Sequence, residues 1–335
     1  MTILVTGAAG FIGSHVAAAL LERGESVLGL DSLDSYYSVG LKQARLARLQ
    51  GKSGFRFARI DLADHRLLEA MAPEFADVTG IVHLAAQAGV RYSLENPYAY
   101  VDANVTGQVA MLEAARRMPR LEHMVYASTS SVYGANRKTP FSVEDRVDSP
   151  VSVYAATKKA AEVMTYAYCH LYKMPATGLR FFTVYGPWGR PDMAYYQFAD
   201  SIMNGRPIRV FNEGRMQRDF TYIDDIVSGV VAALDRPAPV DGNGAPHRIF
   251  NLGNNRSEEL MRYIALIEEA LGRKAIMQFE PMQAGDVQAT SADIEATRLA
   301  LGYEPATPIE VGLPRFVDWY LGYHGHRREH GVGHR

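Results

Sequence analysis

Apolar, β-branched runs alternate with stretches of helical periodicity along the first half of the chain. Residues 2–6, 26–30, 55–59, 80–84, 121–127 and 176–182 read as strands, and 14–22, 105–117 and 155–172 as helices between them. Strands joined through helices run parallel, and runs that stay apolar at successive positions belong to a sheet covered on both faces. The pattern predicts an α/β fold built on a doubly wound parallel sheet over residues 1–183. Past that point the rhythm breaks. Gly, Pro and aromatic residues crowd Tyr185 Gly186 Pro187 Trp188 Gly189 Arg190 Pro191, and shorter elements follow. A smaller α/β substrate-binding domain is expected over 184–325, with 223–234 and 248–252 able to return and pack on the first domain. Residues 326–335 are expected to be a disordered tail.

The 335 residues are 47% hydrophobic with a formal net charge of -2, which fits a soluble globular chain and argues against nucleic acid or an anionic membrane as partner. No apolar stretch reaches the roughly 18 residues of a membrane span, and no charged segment precedes the short apolar run at the N-terminus. The single cysteine, Cys169, sits among apolar and aromatic residues and reads as a buried thiol in a reducing compartment, so a cytoplasmic location is expected. His324, His326, His330 and His334 cluster near the end, but no second group of ligands lies at metal spacing, so no metal is expected.

Chemistry enters at the first turn. Gly7 Ala8 Ala9 Gly10 Phe11 Ile12 Gly13 follows the first strand directly and opens the first helix. Glycines there let the backbone approach a pyrophosphate, and the N–H groups and dipole of the helix N-terminus favour an anion. Asp31, with Ser32 after it, ends the second strand, where a carboxylate accepts bonds from an adenosine ribose and repels a 2′-phosphate. NAD is thus favoured over NADP. Asp61 and Leu62, after the third strand, are placed to meet the adenine, although Asp61 also suits a capping role.

Tyr154 and Lys158 lie four apart in a predicted helix, and so share one face. A cation held beside a phenol favours the phenolate, and such a pair can deprotonate an alcohol. Thr129 is placed to hydrogen-bond the same alcohol oxygen while hydride leaves its carbon for the nicotinamide.

With the glycine loop, His83 Leu84 Ala85 Ala86 and the Tyr-Lys pair in this order, the chain resembles the extended short-chain dehydrogenases/reductases over nearly its full length. The resemblance implies a Rossmann-like cofactor domain, tightly held NAD, Tyr154 as acid and base, and Lys158 bridging the nicotinamide ribose. It also places Asn104 and the Leu84, Ala85, Ala86 turn near the cofactor. More narrowly, the chain is similar to nucleotide-sugar 4-epimerases, and within them to UDP-glucuronate 4-epimerases. Three runs carry this likeness: Asp31 Ser32 Leu33 Asp34 Ser35 Tyr36 Tyr37; Ala86 Gln87 Ala88 Gly89 Val90 Arg91 Tyr92 Ser93; and Arg180 to Tyr185 continuing through Gly186 Pro187 Trp188 Gly189 Arg190 Pro191 Asp192 Met193. Related dehydratases carry acids after the threonine corresponding to Thr129, and related decarboxylases a Glu at the place of Ser131. Here Ser130 and Ser131 stand instead, which leaves simple oxidation and re-reduction at C4.

Implied substrate contacts follow. A 4-keto uronate is a β-keto acid, and holding its carboxylate near the ring plane disfavours loss of CO₂. Arg190, whose guanidinium suits a bidentate carboxylate, is the candidate clamp, with Thr183 and Ser131 as hydroxyl donors. Arg91 and Ser130 are expected nearby, Arg218 at the diphosphate, Val210 and Phe211 around the uracil, and Asp286 at its ribose. Where some relatives carry an Arg for the second phosphate, this sequence has Gln283. The helices 105–117 and 155–172 resemble those that pair in homodimers of this family. Three other readings stay open: a 4-epimerase of neutral UDP-hexoses, a UDP-glucuronate decarboxylase, and a catalytically inactive NAD-binding regulator.

Overall fold

The computed structural model describes residues 1–282 and 288–326. Its strands are β1 (Thr2–Thr6), β2 (Ser26–Asp31), β3 (Phe55–Arg59), β4 (Val78–His83), β5 (His123–Thr129), β6 (Ala176–Phe181), β7 (Thr183–Tyr185), β8 (Ile208–Phe211), β9 (Gln217–Tyr222), β10 (His247–Leu252), β11 (Ser257–Glu259) and β12 (Met277–Glu280). Seven of them form one sheet in the order β10-β6-β5-β4-β1-β2-β3, parallel at every pairing. A three-stranded sheet, β11-β9-β7, and a two-stranded one, β12-β8, lie beyond it.

Residues on β1 show why the strands read as continuously apolar. Ile3 and Val5 join the core on one face, and Leu4 joins the core on the other. The first of these cores runs on without interruption into Tyr185, Phe220, Ile264 and Phe316 of the later elements. The segment 248–252 returns as most of β10 and closes the edge beside β6. The helix Ile223–Leu234 packs over the helix Phe11–Glu22 and the strands β4 and β5. Both returns follow from apolar faces that are buried only against the large sheet.

Helix starts differ from the sequence expectation where a loop does the starting. The first helix begins at Phe11, with Gly10 as its cap, so it grows directly out of the glycine run. The expected helix over 105–117 is shortened to Gly107–Ala115, because a π-turn, Asp102–Thr106, precedes it. Among the described residues no helix is long and apolar enough to cross a membrane.

The helix Val153–Tyr172 is capped by Ser152, whose hydroxyl accepts from the Ala155 amide at 3.1 Å. It is fastened to the sheet by a buried ion pair. Glu162 receives Arg180 Nε at 2.8 Å, Arg180 Nη2 at 3.0 Å and the Ser128 hydroxyl at 2.7 Å. Arg180 Nη1 continues to the Tyr133 hydroxyl, which donates to Asn251 of β10. Burial alone would raise the Glu162 pKa, but the bonds and charge of Arg180 outweigh it and hold the group below its ordinary value.

Removing one partner of such a pair strands a buried charge, so Glu162→Gln is expected to lower the unfolding free energy by about 3 kcal/mol in urea titration at pH 7. Because the folded-state pKa is depressed, this contribution is complete above the unfolded carboxylate pKa. It is lost as pH falls through the folded value. The stability gap between wild type and variant should therefore narrow in acid.

Candidate active site

The sheet order reverses between β1 and β4: the chain leaves β1 for β2 on one side and reaches β5 from β4 on the other. Connections diverge there, and a crevice opens at the strands' carboxyl ends. Residues Gly7, Gly10, Phe11, Ile12 and Gly13 line it from one side, and Leu84, Ala85 and Ala86 from the other. The glycines answer to close contacts. Gly7 has φ +70°, and a Cβ on it would lie 2.9 Å from the Ala85 amide nitrogen. A Cβ on Gly13 would lie 2.1 Å from the Gly7 carbonyl oxygen, well inside contact distance.

Asp31 reaches back over this loop, accepting from the Ala9 amide at 3.0 Å and the Leu33 amide at 2.8 Å. Ser32, Asp61 and Leu62 line the same end of the crevice, and Asp61 accepts from the Ala63 amide as a turn cap. Asn104, expected near the cofactor, is buried behind the opposite turn. Its amide accepts from the Gln87 N–H at 2.8 Å and donates to the Gln87 carbonyl at 3.0 Å, so it fixes the turn's shape from behind. A backbone cradle that any Cβ would fill, amides at a helix N-terminus and a carboxylate at the end of β2 together fit an adenine dinucleotide.

Further along the same cleft of about 1590 Å³ lie Thr129, Ser130, Ser131, Tyr154 and Lys158. Thr129 ends β5, and its hydroxyl oxygen accepts from the Ser131 amide at 3.2 Å. That leaves the hydroxyl proton for Tyr154. Desolvation raises the Tyr154 pKa; the Thr129 hydrogen bond and the charge of Arg190 pull it down, and Asp192 pushes it up. The charge of Arg190 thus favours the phenolate, and Lys158 stands four residues on along the same helix, as its spacing predicts. Lys158 is only 3% exposed and lies one turn from Glu162. Burial lowers its pKa to about 8, while the charge of Glu162 opposes the fall. His83, hydrogen-bonded to the Thr6 hydroxyl at 2.7 Å, is driven down to about 3 by burial and by the charge of Lys158, and is neutral.

The loop 186–192 brings Arg190 to the cleft in a particular state. Its Nε donates to Asp192 Oδ1 at 3.0 Å and its Nη2 to Asp192 Oδ2 at 2.5 Å, a two-bond fork. The Tyr36 hydroxyl, from the loop after β2, stands 3.4 Å from Asp192 Oδ2. Behind this loop Arg45 is completely buried and forms no ion pair among the described residues. Its guanidinium donates to the carbonyls of Ala9, Trp188 and Gly189 and to the Tyr37 hydroxyl. Trp188 is held at φ 63°, a left-handed conformation uncommon outside glycine, by these bonds and by packing on Trp319 and Tyr323.

Thr183, Arg91, Phe211 and Arg218 also line the cleft. The Phe211 ring is flanked by the guanidiniums of Arg91 and Arg209, each 4.9 Å from its centroid. Val210, expected beside it, is fully buried. β8 alternates, with Ile208 and Val210 toward the core and Arg209 and Phe211 away from it, so Val210 is not available to a ligand in the cleft. Arg218 donates to the carbonyls of Gln217 and Gln288. Asp286, Gln283, His330 and His334, and the expected tail beyond 326, lie outside the described residues. Cys169 is fully buried, with burial pushing its thiol up to about 12, and no group of His, Cys, Asp or Glu among the described residues could hold a metal.

Residues 3–253 match the NAD dependent epimerase/dehydratase family. The chain belongs to this family. Similar members include a probable UDP-glucuronate 4-epimerase of Rhizobium meliloti, 49% identical over 332 residues, covering 96% of this chain and 97% of the relative. UDP-glucuronate 4-epimerase 1 of Arabidopsis thaliana is 47% identical over 344 residues, covering 100% of this chain and 80% of the relative. Among solved structures, a UDP-glucuronic acid 4-epimerase of Bacillus cereus in complex with UDP-glucuronic acid and NAD superposes with a TM-score of 0.86 at 34% identity. That match covers 96% of this chain and 100% of the other. Within the epimerase family's frame, sequence reasoning missed Arg45, Tyr36 and Asp192. Arg45 shares a helix with Lys42 and Arg48 and reads as one more solvated cation. Asp192 carries a visible signal, an acid two residues after the arginine it binds.

The contact at Gly13 gives a direct test of the cradle. Gly13→Ala is expected to weaken NAD binding by at least about tenfold, because the added methyl must displace the Gly7 carbonyl. Calorimetric titration of the cofactor into apo-protein measures it.

Proposed function

We propose that this protein interconverts UDP-glucuronate and UDP-galacturonate by NAD-dependent epimerisation at C4, through a 4-keto sugar. The observation that carries the reading is that Tyr154, Thr129, Lys158 and Arg190 line one cleft, large enough for a dinucleotide and a nucleotide sugar together. The relatives named above support it.

When bound, NAD supplies the position that accepts a hydride from C4 and returns it. The side chains manage the proton. Tyr154 takes the C4 hydroxyl proton as its phenolate and gives it back after the ketone has presented its other face, and the Thr129 hydroxyl steadies the same oxygen. The raised resting pKa of Tyr154 suits the returning step, in which the phenol must be an acid. Lys158, with its pKa lowered by burial to about 8, lines the cleft one helical turn from Tyr154 and is placed to reach the nicotinamide ribose. Arg190, with Thr183 and Ser131, holds the sugar carboxylate near the ring plane, where the bond to CO₂ is poorly aligned with the ketone. Ser130 and Ser131 supply no acid for elimination. Arg218 and Arg91 suit the diphosphate, and Phe211 offers a ring to the uracil.

One observation favours a second reading. The Arg190 fork is already filled by Asp192, so a neutral UDP-hexose enters without having to bury an unpaired cation. The relatives weigh toward the uronate. The assembly is proposed to be a homodimer: Leu94, Tyr98, Val163, Leu171 and Tyr172 stand exposed around the helix Val153–Tyr172 and its neighbours, with Tyr98 79% accessible, and a second copy would cover them. The buried single thiol suits a cytoplasmic enzyme.

Incubated with UDP-glucuronate alone, the purified protein is expected to yield UDP-galacturonate, identified by NMR of the product sugar. Conversion of UDP-glucose with no turnover of UDP-glucuronate would reverse the preference. Tyr154→Phe should keep NAD binding and lose roughly 10²–10⁴ in turnover. Retained activity in that variant would remove Tyr154 from the mechanism.

A further inference from the structure

Asp192 occupies the place that a sugar carboxylate needs. It makes the two-bond contact with Arg190 Nε and Nη2 that planar carboxylates prefer, from two residues away in the same loop. Both side chains reach the cleft, at 21% and 23% exposure, and are open to exchange with a ligand. Burial alone would raise the Asp192 pKa, but the charge and bonds of Arg190 hold it below the ordinary value, so the occupant is a full anion.

A second carboxylate brought to the same guanidinium meets that anion at close range. Two carboxylates around one cation in a desolvated pocket repel, and one must leave or become protonated. A route for leaving is present. The Tyr36 hydroxyl stands 3.4 Å from Asp192 Oδ2 on the side of the loop after β2, and that hydroxyl proton can follow the carboxylate as it swings off the fork. Tyr36 is itself built in, its ring tilted against that of Tyr92 at 4.7 Å and its hydroxyl close over Gly89.

We propose that Asp192 is a specificity-determining residue, an internal carboxylate that occupies Arg190 until a uronate displaces it onto Tyr36. The inference rests on the uronate reading given above. It makes Arg190 a conditional clamp. With a neutral hexose the arginine stays paired with Asp192. With a uronate, the substrate must first displace a residue of the protein, which weakens apparent affinity. Asp192 therefore lowers discrimination between the two sugar classes.

The same geometry reaches the chemistry. Tyr154 is faced by Thr129, Arg190, Asp192 and the Tyr100 ring at 6.0 Å, with Lys158 one helical turn on. Arg190 lowers its pKa and Asp192 raises it, so taking Asp192 off the fork, or neutralising it, leaves the favourable charge unopposed.

The test compares NAD-loaded wild type with Asp192→Asn and Asp192→Glu. KM and calorimetric Kd are measured for UDP-glucuronate, Ki for UDP-glucose as competitor, and the pH dependence of kcat throughout. For Asp192→Asn the expected result is a KM and Kd for UDP-glucuronate lower by about tenfold, the scale of one charge-assisted hydrogen bond. UDP-glucose should bind more weakly, and the alkaline rise in kcat should move to lower pH. Asp192→Glu, which keeps an internal carboxylate, should restore wild-type behaviour in the direction of each change. If Asp192 merely orients Arg190, Asp192→Asn will raise the KM for UDP-glucuronate and leave the pH profile in place, and the proposal is overturned. Should Asp192→Asn not fold, Tyr36→Phe carries the test: it must raise the KM for UDP-glucuronate several-fold more than the Ki of UDP-glucose, and an equal change in both refutes the displacement. Wild type that fails to bind UDP-glucuronate at all defeats the uronate reading itself, an outcome separate from a wrong sign in the variants.

Discussion

The buried pair of Glu162 and Arg180 is the constraint on which the rest of this molecule depends. A carboxylate out of water must find cations and donors, and Glu162 finds them on β5, through Ser128, and on β6, through Arg180. This bolts the helix Val153–Tyr172 to two central strands in one register. Tyr154 and Lys158 sit two turns and one turn before Glu162 on that helix, and Thr129 sits one residue after Ser128 on β5. The relation of phenol, ammonium and hydroxyl is thus set by an ion pair that touches no ligand. Extension through Tyr133 and Asn251 brings β10 into the same network, so a strand arriving from late in the chain is fixed by the same group.

Much of this was legible in the amino-acid order. The strands of the large sheet read from their apolar runs because both faces are covered, and the glycine loop read from its place between β1 and a helix. Tyr154 and Lys158 read from helical spacing. What did not read depends on long-range geometry. Helical spacing puts Lys158 one turn from Tyr154, but no local signal shows that the loop 186–192 brings a second cation, Arg190, to the phenol. Val210 looked like a ligand contact because it adjoins Phe211, and strand alternation sends it the other way. A boundary near residue 184 follows the change in composition, and residues 248–252 read as able to return to the first domain, but no local signal marks that they pair with β6 at the edge of the large sheet.

The site's electrostatics are arranged in opposed pairs. Arg190 and Asp192 pull Tyr154 in opposite directions, burial and Glu162 do the same to Lys158, and His83 is kept neutral between Thr6 and the lysine. With burial added, the Tyr154 pKa ends above its ordinary value, and an epimerisation needs this phenol as base and then as acid within one catalytic cycle.

Arg45 gives the cleft its unity. One guanidinium, in no ion pair among the described residues, spans the Ala9 carbonyl in the phosphate loop and the Trp188 and Gly189 carbonyls that precede Arg190. Two recognition surfaces far apart in the chain thereby share a single brace. Neither can be exchanged for a loop from another protein as an independent module: a transplanted sugar loop would have to offer its carbonyls to the same fork, or the cofactor loop would lose its own support.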